Sequence, residues 1–299
     1  MSTYARVGVV TGANKGIGYA IVRQLALQYP SSPLNNGPLS CLTAILQSDL
    51  TARDQSRGQS ACGALQSDPA LKQAKALSAD GGLTTIQYHA FDVTNKSTID
   101  DLSTHLKQTH PNGIDFFINN AGIALDGFNA DIVKKTFETN YYATLSATSA
   151  FLALLTSSGR LVNLASSAGT LGRYSPAVRK RFLDAASQGR IEDVDGIMRD
   201  FAAAVENGKE KDEGFPSAAY AVSKAGLIAG GKVLGREQAG KGGKELYSVD
   251  PGYVNTDMSK GNGTRTPDEG ADTSAKLALK VVGGGGQGEF WRDGREVEW

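Results

Sequence analysis

The sequence has 299 residues, 40% of them hydrophobic, and 31 basic side chains are balanced by 31 acidic ones. That length and apolar content suffice for a sizeable core. The zero net charge, with no long basic block, argues against nucleic acid or an anionic membrane as the main partner, and no apolar run approaches the ~20 residues of a membrane span.

Short apolar runs alternate with longer amphipathic ones along the chain. The predicted strands are Arg6–Val10, Thr84–Phe91, Ile114–Ile118, Arg160–Ala165 and Leu246–Val249. The predicted helices are Gly16–Tyr29, Lys96–Lys107, Asp131–Leu155, Ser217–Gln238 and Pro267–Lys280. This alternation indicates a doubly wound α/β fold, in which a parallel sheet is covered on both faces, and we expect one such domain over residues 1–299. Ligands of these sheets bind at the carboxyl ends of the strands, so the residues after each strand are the candidates for a site.

A glycine-rich stretch, TGANKGIG, joins the first strand to the first helix. Gly12, Gly16 and Gly18 let the backbone turn tightly and approach a diphosphate, and the helix N-terminus offers free N–H groups and a positive dipole end. The spacing is G-x-x-x-G-x-G rather than G-x-G-x-x-G. Glycines alone only indicate a turn, but the strand before them and the helix after them favour a nucleotide-binding loop.

This glycine spacing resembles that of the short-chain dehydrogenase/reductase family, whose other motifs follow in the family's order. They are NNAG after the fourth strand, Asn140 within a helix, Ser166 after the fifth strand, Tyr220 and Lys224 in a Y-x-x-x-K pair, and Pro251–Gly252 after the sixth strand. The resemblance spans nearly the whole chain, and six ordered matches are far more specific than any one of them. It implies a Rossmann fold and an oxidoreductase that uses a nicotinamide cofactor.

The resemblance assigns catalytic roles to four residues. Tyr220 would give its proton to a carbonyl oxygen, Ser166 would bind the same oxygen, Lys224 would hold the nicotinamide ribose, and Asn140 would bind a water in a proton relay. Tyr220 and Lys224 share one helix face, and an ammonium beside a phenol favours the phenolate, so we expect Lys224 to lower the pKa of Tyr220 from about 10. Taken singly, each could instead be a packed ring, a solvated amine, a turn or a helix kink.

Further residues are expected to bind the cofactor. Besides Tyr220 and Lys224, the resemblance implies contacts from Gly12, Asn14, Lys15, Gly16, Ile17, Gly18, Asp92, Val93, Asn120, Ala121, Gly122, Pro251, Gly252, Val254 and Thr256. Asp92 and the backbone of Val93 would meet the adenine, although a carboxylate there is equally expected near a helix N-cap. Tyr253, with Ser166 and Tyr220, would border the substrate.

The residue that ends the second strand selects the cofactor, and two positions for that strand are open. If CLTAIL is the strand, Asp49 follows it, and an acid there favours NAD by binding the ribose hydroxyls. If the strand ends in LTARD, Arg53 follows it and favours NADP by pairing with the 2′-phosphate; Ser40–Asp49 is then extra length. The run LTARDxxRG resembles the carbonyl reductase branch of the family, and Lys15 adds a second cation. We therefore predict Arg53 and NADP(H).

The segment between Ser166 and Tyr220 is longer than in simpler members of the family by about forty residues. Its periodicity predicts two helices, Pro176–Ala186 and Glu192–Asn207, in an insertion over about residues 175–214. In the carbonyl reductase branch such an insertion covers the face through which other members form tetramers, which implies a monomer. A surface elaboration is the alternative. The stretch GEFWRDGREVEW predicts a last strand with a short hairpin, and GGGG before it a loop.

The sequence thus predicts an NADPH-dependent reductase of small ketones, aldehydes or quinones. A specialised-pathway ketone reductase or alcohol dehydrogenase, and a non-catalytic nucleotide-binding regulator, are the alternatives. Cys41 and Cys62 make no metal or disulfide pattern, and His89, His105 and His110 have no ligand spacing, so no metal is expected. With no signal-like N-terminus, we expect a cytoplasmic protein without nucleic-acid or membrane partners.

Overall fold

A computed structural model of the protein describes residues 4–45, 53–239, 241 and 243–299, with the side chains of 45 and 53–57 outside this description. Within these residues eight strands form one sheet in the order β3-β2-β1-β4-β5-β6-β7-β8. They are β1 Arg6–Thr11, β2 Leu39–Ile45, β3 Thr84–Ala90, β4 Ile114–Asn119, β5 Leu155–Leu164, β6 Glu245–Val249, β7 Gln287–Arg292 and β8 Arg295–Glu296. All neighbours pair in parallel except β8, which runs antiparallel to β7. The predicted doubly wound sheet is confirmed.

Helices cover both faces of the sheet. They are α1 Gly16–Gln28, α2 Arg53–Gln66, α3 Pro69–Gln73, α4 Lys96–Thr109, α5 Ala130–Phe137, α6 Thr144–Leu152, α7 Pro176–Gln188, α8 Ile191–Glu206, α9 Ala219–Ala239 and α10 Pro267–Ala278. A wider π-helical turn, Glu138–Ala143, joins α5 to α6. The single long helix expected over Asp131–Leu155 is therefore interrupted, and its last residue belongs to β5.

The central strands are apolar because each of their faces is covered. Every residue of β4 is buried. Phe116 packs with α1 and α10 on one side of the sheet, while Phe117 packs with α4 and α6 on the other. The ring of Phe117 stacks on that of Phe151 at 4.1 Å between centroids. Neighbouring side chains of a strand point to opposite faces, so a doubly covered strand reads as a continuous apolar run.

The observed position of the second strand differs from the one that the sequence analysis favoured. β2 is LSCLTAI, paired between β1 and β3, so the prediction that the strand ends in LTARD is wrong, and Ser40–Ile45 is not extra length. Both faces of β2 are covered by apolar clusters, a position that suits Cys41 and Leu42 but not the charged end of LTARD. Asp49 lies outside the described residues, and Arg53 is the first residue of α2.

The insertion forms an outer layer on α5 and α9, and both of its predicted helices are confirmed as α7 and α8. Its buried side chains, Val194, Met198 and Phe201 among them, form one apolar cluster with those two helices. A hydrogen bond of 2.8 Å from the Tyr141 hydroxyl to Asp195 joins α8 to the π-helical turn. On the other side, Arg236 of α9 donates to backbone carbonyls at the end of α7, where a cation also meets the negative end of the helix dipole.

The expected last strand and hairpin are also confirmed. β7 and β8 meet in a turn at Asp293–Gly294, where both residues have positive φ, as hairpin turns favour. Beyond the hairpin, the indole N–H of Trp299 donates to the Gly169 carbonyl at 2.9 Å. Among the helices of the described segments, none combines the length and apolar character that crossing a membrane would require.

Candidate active site

Four neighbouring strands end in polar loops at one edge of the sheet. β1, β4, β5 and β6 stand side by side and end at Thr11, Asn119, Leu164 and Val249. The predicted motifs lie directly after these ends. The sheet topology therefore brings together the glycine loop, NNAG, Ser166 and the Pro251–Gly252 turn, which are separate in the sequence.

The glycine loop is shaped for a close approach of backbone and ligand. Gly12 and Gly16 have φ of 64° and 56°, values that glycine adopts without strain. A Cβ on Gly18 would lie 2.4 Å from the Gly12 carbonyl oxygen and 2.4 Å from the Asn120 amide nitrogen. No side chain caps the start of α1 at Lys15, so its first N–H groups remain for an anion. The loop therefore fits the diphosphate of a dinucleotide; Asn14 and Ile17 are partly exposed on it.

Asn120 ties the NNAG turn to the glycine loop. Its side-chain amide donates to the carbonyls of Thr11 at 2.8 Å and Gly12 at 3.0 Å. The Thr11 hydroxyl accepts the backbone N–H groups of Asn120 and Ala121, both at 3.0 Å. These contacts support the loop. A Cβ on Gly122 would lie 3.2 Å from the Asn140 amide oxygen and 3.7 Å from the Lys224 ammonium, so glycine leaves room beside both groups.

Ser166, Tyr220 and Lys224 come together as predicted. Ser166 follows β5, its hydroxyl accepts the Ala168 N–H at 3.1 Å, and its side chain is near enough to the Tyr220 phenol to act on the pKa of that group. Tyr220 and Lys224 lie one turn apart on α9, with the ammonium 5.6 Å from the centre of the phenol ring. The buried ammonium donates to the Leu164 carbonyl at 2.7 Å. The end of β5 thus orients both the serine and the lysine.

The pKa values of Tyr220 and Lys224 differ from those that the sequence analysis led us to expect. The pKa of Tyr220 is raised to about 12: burial raises it, the Ser166 side chain acts in the opposite direction, and the charge of Asp250 adds the smallest contribution, upward. The expected lowering of the Tyr220 pKa by Lys224 is therefore wrong. Burial also lowers the pKa of Lys224 itself to about 8, because its ammonium has lost most of its water.

Asn140 lies in the π-helical turn and is completely buried. Its amide oxygen accepts the Ile123 N–H at 2.8 Å, and its amide nitrogen donates to the Ile123 carbonyl at 2.8 Å and to the Ser223 hydroxyl at 3.2 Å. The side chain therefore locks the loop after β4 onto α9. π-helical turns are often found at functional sites.

Asp92 and Val93 follow β3, further along the same edge. One carboxylate oxygen of Asp92 accepts the N–H of Thr94 at 2.8 Å and its hydroxyl at 2.7 Å. This is the local turn role that the sequence offered as the alternative to adenine binding. Val93 is buried in the apolar cluster beneath α4, so it also supports the turn from inside.

The loop after β6 lies against the glycine loop. A Cβ on Gly16 would be 3.3 Å from the Thr256 methyl group. The Lys15 ammonium donates to Asp257 at 2.6 Å, so the cation expected at the cofactor phosphate is paired with an acid of this loop. Val254 is buried, whereas Tyr253 is 54% exposed, as a residue at the rim of an open site would be.

Three polar residues near these motifs were missed from the sequence. Thr11 is the last residue of β1, directly before Gly12, and Asp250 follows β6, directly before the Pro251–Gly252 turn. A systematic search of strand ends would have found both. The third, Ser223, donates to the Tyr220 carbonyl at 2.7 Å and accepts from Asn140. Nothing in its sequence position marks it, because its role depends on how α9 packs.

Comparison with known proteins identifies relatives along the whole chain. The family model described as short chain dehydrogenase matches residues 55–178. Carbonyl reductase 1 (NADPH) of Bos taurus is 32% identical over 311 residues, an alignment that covers 100% of both chains. Carbonyl reductase 3 (NADPH) of Rattus norvegicus is 33% identical over 289 residues, covering 93% of this chain and 92% of the relative.

A solved structure shares the fold. Salutaridine reductase from Papaver somniferum superimposes with a TM-score of 0.73 at 24% sequence identity, over 96% of this chain and 99% of that one. Because the carbonyl reductase relatives align along nearly the whole chain and the family model matches its middle, the chain belongs to the short-chain dehydrogenase/reductase family, as the order of its motifs predicted.

Proposed function

We propose that the protein is an NADPH-dependent reductase of small ketones, aldehydes or quinones, with Tyr220 as the proton donor. The observation that carries the proposal is the convergence of Ser166, Tyr220 and Lys224 at the end of β5, beside a loop that fits a diphosphate. The relatives are carbonyl reductases that use NADPH, which supports both the reaction and the cofactor.

The cofactor is NADP(H), and the bound nicotinamide supplies the hydride. The glycine loop and the start of α1 would hold its diphosphate. The observed register of β2 is the one in which Asp49 follows the strand, so NADP(H) rests on the NADPH reductases among the relatives rather than on that register. Lys15 and Arg53 remain the cations that we propose for the 2′-phosphate. Asp92 and Val93 would contact the adenine side, and the residues from Pro251 to Thr256 would contact the nicotinamide side. Lys224 would hold the nicotinamide ribose.

The catalytic side chains divide the work around the carbonyl oxygen. With its pKa raised to about 12, Tyr220 retains its proton at neutral pH and can donate it to the forming alkoxide. Ser166 donates a hydrogen bond to the same oxygen and orients it. Since the pKa of Lys224 is about 8, the ammonium is still mostly charged at neutral pH and would donate hydrogen bonds to the ribose hydroxyls of the nicotinamide.

The amide oxygen of Asn140 accepts one hydrogen bond, from the Ile123 N–H, and keeps a second lone pair for a relay water. Gly122 leaves room for this water, because a Cβ there would lie 3.2 Å from that oxygen and 3.7 Å from the Lys224 ammonium. The water would pass a proton between solvent and Lys224. The hydrogen bonds from the Asn140 amide nitrogen to Ile123 and Ser223 would hold the side chain in place for it.

The proposed function is tested by NADPH oxidation with a panel of ketones, aldehydes and quinones, run in parallel with NADH. Turnover with several simple carbonyls and a clear preference for NADPH is the expected result. Turnover of one elaborate ketone alone would identify a specialised-pathway reductase. Tight NADPH binding without any turnover would identify a regulator and refute the proposal.

We further propose that the protein is a cytoplasmic monomer without nucleic-acid or membrane partners, with one domain over residues 1–299 and an insertion over about 175–214. The support is the outer layer of α7 and α8, which buries the faces of α5 and α9. Light scattering should give the mass of one chain, 31.4 kDa. A dimeric or tetrameric mass would refute the monomer.

A further inference from the structure

Ser166 begins a tight turn whose geometry also sets the direction of its hydroxyl. The residue caps the one-turn 3₁₀ helix Ser167–Gly169, and its hydroxyl accepts the Ala168 N–H at 3.1 Å. The Ser166 carbonyl accepts the Gly169 N–H at 2.9 Å. Because both the hydroxyl and the carbonyl of Ser166 are bonded to this turn, a displacement of Gly169 would move the serine side chain as well.

The backbone of α9 limits the position of this turn. Gly169 is buried, and a Cβ there would lie 2.6 Å from the Lys224 carbonyl carbon and 2.7 Å from the Ala225 backbone nitrogen. These distances leave no space for a side chain, so glycine allows the turn to lie directly against the helix. The turn is therefore prevented from moving toward α9, and any displacement has to be away from it.

Trp299 holds the turn at a second point. Its indole N–H donates to the Gly169 carbonyl at 2.9 Å. Its ring also packs against the small apolar cluster that contains Phe290 and Ala165, the residue directly before the serine. Trp299 thus holds the turn after the serine through a hydrogen bond, and the chain before the serine through this cluster.

Two other elements hold Trp299 itself. The Val297 N–H donates to the Phe290 carbonyl at 2.8 Å, which fixes this segment beside β7. The Trp299 ring makes an edge-to-face contact with Phe182 of α7, at 6.1 Å between centroids and 82° between planes. Phe182 is completely buried in the apolar cluster of the insertion. The indole therefore connects the insertion to the turn that begins with Ser166.

We propose that Trp299 is a positioning residue that acts through Ser166: by fixing the Gly169 carbonyl, it keeps the serine hydroxyl directed at the substrate oxygen. This inference rests on the proposed function, in which Ser166 donates a hydrogen bond to that oxygen. Since the hydroxyl oxygen accepts the Ala168 N–H, its own hydrogen is left to be donated. A displacement of about an ångström is enough to lose much of the effect of such a donor.

Trp299→Phe tests the inference, because phenylalanine keeps an aromatic ring and removes the N–H. The kcat for carbonyl reduction should fall roughly tenfold. The Kd for NADPH should stay at the wild-type value, because the glycine loop is unchanged. Trp291→Phe is the matched control. The Trp291 indole is buried and donates no hydrogen bond within the described residues, so its replacement should leave kcat near the wild-type value.

A double-mutant cycle separates positioning from a general loss of structure. In a Ser166→Ala background, Trp299→Phe should have no further effect on kcat, because the group that Trp299 positions has been removed. All variants are compared below their unfolding temperatures. An unchanged kcat in Trp299→Phe, or an equal loss in both backgrounds, would overturn the inference.

A second readout does not depend on turnover. Backbone amide hydrogen exchange over residues 166–170 should be faster in Trp299→Phe than in the wild type, and unchanged in Trp291→Phe. Unchanged exchange in Trp299→Phe would also overturn the inference. A wild-type protein that reduces no carbonyl, but whose turn still exchanges faster in Trp299→Phe, would instead refute the proposed function and retain the anchoring of the turn by Trp299.

Discussion

Lys15 of the glycine loop and Asp257 of the loop after β6 are joined by an ion pair of 2.6 Å. Both side chains are exposed, at 66% and 77%, so the pair is accessible to a ligand. Since Lys15 is one of the two cations that we propose for the 2′-phosphate of the cofactor, Asp257 would compete with that phosphate for it. Through this ion pair, the affinity for the cofactor would depend on Asp257 in the loop after β6.

Asp257→Asn should strengthen NADPH binding, because it frees Lys15 for the phosphate. The expected decrease in the Kd for NADPH is roughly two- to fivefold, in keeping with an exposed pair, and it should shrink in high salt. The Kd for NADH should not change. Asp126→Asn, which breaks the similarly exposed pair with Lys260, is the matched control. Equal effects of Asp257→Asn on NADPH and NADH would contradict the competition.

Tyr220→Phe should reduce kcat for carbonyl reduction by a factor of about 10² to 10⁴, the usual contribution of a positioned proton donor. The Kd for NADPH should stay near the wild-type value, because the ring remains in place. Tyr142→Phe, which also removes a phenol hydroxyl but at a position that is 37% exposed, serves as the control. Near-native turnover by Tyr220→Phe would exclude it as the proton donor.

The sequence predicted the strands correctly where helices cover both faces of the sheet, because such strands are continuously apolar. The run Ile114–Ile118 is apolar because helices cover both sides of β4, and its polar ends mark the strand boundary. The Y-x-x-x-K pair likewise needed only helical spacing to place Tyr220 and Lys224 together. Strand ends and helix periodicity thus predicted most of the fold, whereas the members of the candidate site came from the resemblance to the short-chain dehydrogenase/reductase family.

The remaining features depend on packing that no local pattern contains. Two LTA runs offered the second strand two registers, and only pairing with β1 and β3 selects Leu39–Ile45. The π-helical turn at Glu138–Ala143 leaves the apolar periodicity nearly intact, so the sequence predicted one long helix. The pKa of Tyr220 rises chiefly because its phenol is buried, and burial is a property of the folded chain that helical spacing does not contain.

Arg53→Gln should raise the Kd for NADPH at least tenfold and leave that for NADH unchanged, if Arg53 pairs with the 2′-phosphate as proposed. Arg57→Gln, a change of the same type one turn along α2, is the control for loss of positive charge alone. If Arg57→Gln lost NADPH affinity and Arg53→Gln did not, Arg57 rather than Arg53 would be the residue that contacts the 2′-phosphate, and the proposal would be wrong.

Phe201→Ala should destabilise the outer layer strongly. Phe201 is completely buried, and its ring packs on Phe215 at 5.3 Å and Phe137 at 5.6 Å between centroids. Removing a ring from such a contact costs about 3 to 5 kcal/mol of unfolding free energy. Leu183→Ala removes an apolar side chain that is 40% exposed and should cost less than about 1 kcal/mol. Denaturant unfolding measures both, and equal losses would mean that α8 is not packed as described.

Because Lys224 is buried, we expect the free energy of unfolding to rise with pH in the alkaline range. Burial lowers its pKa from 10.5 to about 8 in the folded state. Below about pH 8 both the folded and the unfolded chain carry the charge, and the cost of burying it is complete. Between about pH 8 and 10.5 the folded state loses the proton first, so the unfolded state binds more protons and the free energy of unfolding rises with pH.

Lys224→Met should remove this rise and abolish reduction. The unfolding free energy of the wild type, minus that of Lys224→Met, should increase by about 3 kcal/mol from pH 8 to pH 10.5. Lys135→Met, at an exposed position on α5, should give a difference that stays constant over the same range. Parallel stability curves for wild type and Lys224→Met would mean that the ammonium is not desolvated. The measurement therefore tests, independently of turnover, whether burying the charged Lys224 ammonium lowers the free energy of unfolding.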